Sequence, residues 1–208
     1  MKTIRRSVKA LRRQVAVLLL AVVMIFSLSA CGTAGQSQGN EGGIVNDIKK
    51  MLKAEGRPYD DVFTGNVGDT LTNTFFAWRI KSVTTADSLV ASYGATVTPQ
   101  TNSYYPEGYR FVIVDMSAKN VYNTTNPVGN YDFYIIYEYK GETVEDTAYS
   151  AFMDDMYPDN AYQDVGETTS GKVIFAVPKE VTEIMICYYE FWEDEFEGNT
   201  YLFNVTLT

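Results

Sequence analysis

The sequence predicts an all-β protein, an immunoglobulin-like antiparallel β-sandwich that a short helix could precede. Of the 208 residues, 16 are tyrosine and 11 are phenylalanine, and such rings favour strands and large buried side chains. Seven to nine short β-prone segments are separated by turn signals, and no long helical pattern lies between them. Parallel strands joined by helices are therefore not expected.

The predicted strands all follow residue 59. Segment 75–83 is aromatic with mixed alternation, 89–98 is a weaker strand, and the strand at 171–178 is closed by Pro178. In chain order the segments are 67–73, 75–83, 89–98, 109–121, 131–139, 143–153, 171–178, 184–192 and 200–207. Many short strands at this spacing are typical of a sandwich.

The clearest strand is 109–121. Val112, Val114, Met116 and Ala118 share one parity and are all apolar, whereas the opposite parity includes charged residues. Because successive side chains of a strand point to opposite faces, the apolar set should face the core.

A hairpin turn is predicted after the segment 131–139. Lys140, Gly141 and Glu142 follow it, and glycine readily adopts the left-handed conformation that tight hairpins need. Segment 143–153 should then form the second arm of the hairpin.

The N-terminus has the pattern of an export signal. An apolar run from 15 to 26 follows a basic start and precedes Leu28-Ser29-Ala30-Cys31, which resembles the lipobox of bacterial lipoproteins. That resemblance implies cleavage after residue 30 and a diacylglycerol on the thiol of Cys31. The chain is then anchored by lipid on the extracellular face of the cell membrane. An uncleaved membrane anchor remains the alternative, although the run is shorter than the roughly 20 apolar residues that span a bilayer.

Four segments follow from these patterns. Residues 1–30 are the signal peptide, and 31–43 form a flexible tether rich in Gly, Ser and Gln. Segment 44–58 is a short helical or mobile segment, because Ile44, Ile48, Met51 and Leu52 lie near helical spacing. Residues 59–208 form the sandwich domain.

The mature chain is strongly acidic. The signal holds six of the 17 basic residues and none of the 26 acidic ones, so the remainder carries 11 − 26 = −15. Such a chain repels nucleic acid and anionic lipid headgroups. No nucleic-acid partner is expected, and cations, cationic peptides or neutral polymers are the easier partners.

Few catalytic chemistries are open to this sequence. It has no histidine, which removes Ser-His-Asp and Cys-His catalysis and every imidazole metal site. No Ser-x-x-Lys motif occurs either. Once Cys31 is lipidated, Cys187 is the single thiol, so the domain has no internal disulfide, and its strand context predicts a small buried hydrophobe.

Three blocks of sequence carry a family resemblance. They are 65–70 (Gly-Asn-Val-Gly-Asp-Thr), 106–120 (Pro-Glu-Gly to Lys-Asn) and 165–178 (Val-Gly-Glu to Ala-Val-Pro). The chain resembles, over about residues 65–207, immunoglobulin-like extracellular lipoproteins of unknown function in Gram-positive bacteria. That family carries the misleading name "telomeric repeat-binding factor 2". The resemblance implies a sandwich outside the cell membrane and no established catalytic residue.

An acidic segment is a candidate metal site. Asp154, Asp155, Asp159 and Asp164 supply several oxygen donors close together, and Ca²⁺ binds six to eight oxygens. Their spacing is not that of an EF-hand. The alternative is a solvated acidic loop without a cofactor.

A second candidate combines acids with rings. Residues 188–198 alternate Tyr, Phe and Trp with Glu and Asp, as glycosidases and sugar-binding modules do around their substrates. The alternative is a strand end and hairpin whose acids face water.

Tyrosines in predicted loops are candidate contact residues. Tyr104, Tyr105, Tyr122 and Tyr157 lie outside the strongest strand segments, and exposed loop tyrosines suit peptide or glycan contact. Ordinary packing at the ends of the sandwich is the alternative.

We expect a non-enzymatic, membrane-anchored extracellular lipoprotein that acts as a binding module for a protein, peptide or glycan. One alternative is a carboxylate-dependent enzyme on cell-wall glycan, centred on 190–197. Another is a regulatory lipoprotein that docks onto a membrane protein through the segment 44–55.

Overall fold

A computed structural model describes residues 62–101, 105–149, 153–190 and 199–208. The predicted signal peptide, Cys31, the tether and the segment 44–58 lie outside the described residues. Within the described ranges, no helix is long and apolar enough to cross a bilayer. The strands are β1 (Val62–Asn66), β2 (Thr70–Thr72), β3 (Phe76–Ala86), β4 (Leu89–Val90), β5 (Thr96–Val97), β6 (Tyr109–Asn120), β7 (Asn126–Val128), β8 (Phe133–Tyr139), β9 (Glu142–Thr147), β10 (Ala161–Gln163), β11 (Thr168–Pro178), β12 (Glu183–Tyr189) and β13 (Thr200–Thr206).

Two sheets form the sandwich. The first has the strand order β1-β13-β12-β8-β9 and the second has the order β11-β6-β3-β2. The seven main strands in chain order are β3, β6, β8, β9, β11, β12 and β13. The first, second and fifth of these share one sheet, and the third, sixth and seventh share the other, as in the immunoglobulin layout. The strand pairs within these sheets are antiparallel except β1 with β13. The predicted all-β, immunoglobulin-like sandwich is confirmed.

The core lies between the two sheets. The apolar parity predicted for β6 faces it, since the four residues are 0–1% exposed: Val112, Val114, Met116 and Ala118. Trp78 on β3 is fully buried, with its ring edge-on to Phe133 at 4.9 Å and tilted against Tyr188 at 4.6 Å. The side chains of both inner faces thus interdigitate around one indole ring.

The outer face of the second sheet is also covered. Phe111 and Ile174 point away from the main core and are fully buried beneath Leu89, Val97 and Tyr149. The predicted strand 89–98 is in fact the hairpin of β4 and β5, because Gly94 turns the chain with φ of 84°. This hairpin supplies part of the cover.

The predicted strand 143–153 is too long. β9 ends at Thr147, and the chain then crosses to the free edge of β11 in the other sheet. There the N–H of Tyr149 donates to the carbonyl of Ile174, and the N–H of Tyr157 donates to that of Lys172 at 2.8 Å. The crossing satisfies backbone groups that an exposed edge strand would leave open.

The predicted strand 67–73 also differs, since the chain turns at Gly68 between β1 and β2.

The predicted hairpin turn is confirmed. Lys140 and Gly141 join β8 to β9 with φ of 54° and 80°, the two positive values that a type I′ turn requires. Cys187 is buried as predicted.

We expect the domain to unfold in alkaline solution because many tyrosines are shielded from water. Burial raises the pKa of Tyr137, Tyr157 and Tyr188, and raises that of Tyr201 to about 12. A group whose pKa is raised by folding contributes stability below its unfolded pKa, here 10.0, and loses it as pH rises further. The urea concentration at the midpoint of unfolding should therefore decrease as the pH rises above about 10. Absorbance at 295 nm that shows all tyrosines ionising near pH 10 in a folded domain would contradict this prediction.

Candidate functional site

One end of the sandwich brings together two long connections. β6 ends there at Asn120, β8 begins there at Phe133, and β11 begins there at Thr168. Because these strands are antiparallel neighbours or face each other across the core, the connections 121–132 and 158–167 meet at the same end. They carry the candidate site.

A short ribbon joins the two connections. β7 from the first pairs antiparallel with β10 from the second, placing Val128 opposite Ala161 and Asn126 opposite Gln163. The buried Asn120 amide donates from Nδ2 to the carbonyls of Thr124 and Gln163, each at 2.8 Å. One side chain thus binds both connections to the end of β6.

Further contacts hold the connections against each other. Asn130 donates from Nδ2 to Asp159 Oδ1 at 2.9 Å, and Thr125 Oγ1 donates to Asp164 Oδ1 at 2.8 Å. At Gly129 a Cβ atom would lie 2.0 Å from the carbonyl oxygen of Asp159, so only glycine allows this approach. The two connections are therefore fixed before any partner arrives, which lowers the entropic cost of binding.

This end exposes apolar and aromatic side chains. Tyr162 on β10 is 71% exposed, Val165 is 61% exposed, and Tyr131 and Val121 are each more than 40% exposed. The exposed Pro127 lies directly opposite Tyr162 on β7. We call Val121, Pro127, Tyr131, Tyr162 and Val165 the loop-end surface. Exposed rings on a rigid frame are typical of recognition surfaces.

The surroundings of the loop-end surface are acidic. The two connections contain Asp132, Asp159, Asp164 and Glu167 and no lysine or arginine. The N–H of Gly129 donates to Asp132 Oδ2, but burial has the larger effect and raises the pKa of that carboxyl. At neutral pH these carboxylates favour a partner with positive charge.

The predicted calcium ligands do not come together. Asp155 forms an ion pair with Lys172, Asp159 accepts from Asn130, and Asp164 accepts from Thr125. Asp154 lies exposed in the turn before Asp155. In the part of the chain that the structure describes, no three Asp, Glu or Cys side chains converge as a metal site requires.

The four predicted contact tyrosines do not form one surface. Tyr122 follows β6 at the loop end, half-buried and edge-on to Phe75 at 5.0 Å. Tyr105 lies before the other end of β6, which begins at Tyr109, and its hydroxyl donates to Asp146 on β9. Tyr104 lies outside the described residues.

Tyr157 was wrongly predicted to contact a partner. It is 0% exposed and packs edge-on to Phe133 in the core, with its hydroxyl accepting from Gln163 Nε2 at 3.2 Å. The crossing segment along β11 carries it inward. Local sequence shows a Met-Tyr-Pro group in an acidic loop and cannot show that the loop crosses a sheet edge.

The acid-and-ring stretch is described only at its start. Glu190 is 4% exposed, and its carboxylate accepts from the N–H of Thr74 at 2.9 Å. That bond joins the base of the β12–β13 connection to the start of β3. The carboxylate of Glu190 therefore has a structural role, since it binds the backbone of Thr74. Residues 191–198 lie outside the described residues.

None of the residues of the loop-end surface is among the four predicted contact tyrosines, and Tyr162 and Val165 show why. Each stands singly between polar or small residues, in Ala161-Tyr162-Gln163 and Asp164-Val165-Gly166. No periodic pattern distinguishes such a residue from one that packs inward. Their exposure depends on the pairing of β7 with β10, which are distant in sequence.

Comparisons with known proteins assign no family to this chain. No family model matches the sequence, and no curated protein is significantly similar to it. Similar solved structures include the candidate lipoprotein ycdA of Bacillus subtilis, 15% identical over 68% of this chain with a TM-score of 0.49. The yjhA protein of Bacillus subtilis is 13% identical over 69% of this chain and 99% of its own length, with a TM-score of 0.48.

A third structure is an uncharacterised β-sandwich protein of Clostridium difficile, 12% identical over 71% of this chain and 96% of its own, with a TM-score of 0.43. The chain spans only 39% of the length of ycdA. All three TM-scores lie below 0.5, so these comparisons carry no conclusion about the family or the activity of this chain.

Proposed function

We propose that this protein is a lipid-anchored extracellular binding module whose loop-end surface contacts a cationic peptide segment of a partner protein. The observation that carries the proposal is Tyr162, 71% exposed on a ribbon that is hydrogen-bonded to the rest of the domain. A large exposed ring on an immobile frame loses little entropy when it is covered.

The anchoring half of the proposal rests on the N-terminal sequence. A basic start, an apolar run and the group Leu28-Ser29-Ala30-Cys31 support export and lipidation of Cys31. A diacylglycerol supplies two acyl chains, and two chains give stable attachment to a bilayer. The net charge of −15 on the mature chain would keep the domain itself away from anionic headgroups.

The choice of a cationic peptide rests on charge and ring chemistry. Four carboxylates and no basic residue occur in the two connections that form the surface. Lys and Arg side chains would gain from these carboxylates and from the faces of Tyr131 and Tyr162. Val121 and Val165 would pack against the aliphatic parts of the same side chains.

Binding should depend on Tyr162 and not on tyrosine content in general. We suggest selecting binders from a displayed library of random twelve-residue peptides and measuring Kd for the enriched sequences. Tyr162→Ala should raise Kd at least tenfold, since buried aromatic anchors account for most of the binding energy at such sites. The matched control is Tyr93→Ala, because Tyr93 is 67% exposed but lies in the β4–β5 turn and is not part of the loop-end surface.

The charge of the selected peptides tests the rest of the proposal. Enriched sequences should be rich in Lys and Arg, and their affinity should fall as salt rises from 0.05 to 0.5 M. Neutral sequences with salt-independent binding, or an equal loss for both tyrosine variants, would overturn the proposal.

A further inference from the structure

A cavity opens at the end of the second sheet where β6 begins and where β3 and β11 end. Its volume is about 290 Å³, and it is lined by Thr85, Ala86, Asp87, Arg110 and Lys179. The pairing of β3 and β11 with β6 brings these residues together from three separate parts of the chain. Since typical ligand pockets begin at about 300 Å³, the cavity suits a small molecule or the end of a chain.

The guanidinium of Arg110 is the distinctive group of this cavity. The side chain is half-buried, and its Nη2 donates to the carbonyl of Val181 at 2.9 Å. Its Nε is buried and has no hydrogen-bond partner. Three ion pairs join side chains of the described residues, and none of them involves this guanidinium. A buried donor without an acceptor costs free energy, which an acceptor entering the cavity would recover.

Arg110 is not needed to hold the backbone that it contacts. The N–H of Lys179 donates to the carbonyl of Gly108 at 2.8 Å, and the N–H of Val181 donates to that of Pro178 at 3.0 Å. The segment after β11 is therefore fixed by backbone hydrogen bonds of its own. The single bond from Arg110 to this segment needs a donor but no positive charge, so a structural role does not account for the charge.

The other charges at the cavity fit a ligand with one negative charge. Lys179 Nζ lies 2.7 Å from Asp87 Oδ1, so these two opposite charges offset each other. Arg110 supplies the remaining positive charge of the lining, in a chain whose net charge is −9. Thr85 Oγ1 already donates to a backbone oxygen of Thr208 at 3.1 Å, which leaves the guanidinium as the main donor. A second negative charge on the ligand would meet Asp87 and no further free cation.

We propose that this cavity binds a carboxylate group, with Arg110 as the cation that holds it. A planar carboxylate matches the guanidinium fork, accepts from two of its N–H groups and supplies the acceptor that Nε lacks. Small organic acids and the C-terminus of a peptide chain share this chemistry. The site is separate from the loop-end surface, which lies where β6 ends, so the two proposals can fail independently.

An NMR titration of the unmutated full chain tests the ligand chemistry. At constant ionic strength, N-acetylalanine should shift the Nε–H signal of Arg110 in a saturable way. N-acetylalaninamide has the same shape without the charge, and it should bind at least tenfold more weakly. Equal affinity for the acid and the amide would exclude a carboxylate site. Inorganic phosphate that binds tenfold more tightly than the acid would exclude it as well.

Acetate distinguishes the two sources of the carboxylate. Affinity equal to that of N-acetylalanine would support the site and identify small organic acids as its ligands. Weaker affinity would support the site and identify a peptide C-terminus, because the acetylated residue then adds contacts of its own.

Substitutions identify the cation. Arg110→Gln should raise the Kd for N-acetylalanine at least tenfold, whereas Arg110→Lys should have a smaller effect because it keeps the charge and loses the fork. The matched control is Lys119→Gln, which removes the same charge from an exposed side chain near the other end of β6. It should change Kd less than twofold. An equal change in Arg110→Gln and Lys119→Gln would show a general effect of charge and would remove Arg110 from the site.

Discussion

Replacing Gly171 with alanine should destabilise the domain by about 3 kcal/mol, at the upper end of the range for overpacking. A Cβ at this position of β11 would lie 2.5 Å from both the N and the Cα of Tyr157, and 2.7 Å from the carbonyl carbon of Met156. These are backbone atoms, held by the bond from the N–H of Tyr157 to Lys172, and they cannot rotate away as a side chain can. The added methyl must therefore push the crossing segment off the edge of β11.

Thermal unfolding measures this effect. For a domain of this size, 3 kcal/mol corresponds to a Tm lower by roughly 6–12 °C. Gly65→Ala is the control, because the nearest atoms to its Cβ would belong to the side chains of Leu71, at 3.2 Å, and Asp69, at 3.5 Å, and we expect less than about 1 kcal/mol there. Similar Tm values for the two variants would show that the crossing segment does not press on β11.

Tyr157→Ala should be the most damaging single truncation in the acidic segment, costing about 3–5 kcal/mol as other large aromatic truncations in cores do. The ring is fully buried against Phe133, and its removal also leaves Gln163 Nε2 without its acceptor. The expected Tm decrease is roughly 6–20 °C.

Tyr162→Ala is the natural partner of that experiment. It is the same substitution five positions later, but the side chain is 71% exposed, so the free energy of unfolding should change by less than about 0.5 kcal/mol. The pair separates a tyrosine that stabilises the domain from one proposed to bind a ligand. A large loss of stability in Tyr162→Ala would remove it from the candidate site.

Much of the sandwich was predictable because its strands carry local signals. The parity of Val112 to Ala118 identified the core face of β6, and Lys140-Gly141 identified the β8–β9 turn. Both signals involve neighbours in sequence, and side-chain alternation or a positive φ follows from local geometry alone.

The candidate site was less predictable because it is built from distant pairs. Tyr157 and Tyr162 stand in similar polar surroundings in the sequence, yet one is buried and the other exposed. The difference arises because the segment before Tyr157 pairs with the edge of β11, while Tyr162 lies opposite Pro127 on β7.

The fold class, the net charge of −9, the exclusion of histidine-based chemistry and the core face of the longest strand all follow from the sequence alone. The packing of distant segments sets which tyrosines face solvent, and it gives Asp155, Asp159 and Asp164 of the predicted calcium site separate partners. Composition and periodicity act between near neighbours, whereas exposure and ligand geometry depend on contacts between segments tens of residues apart.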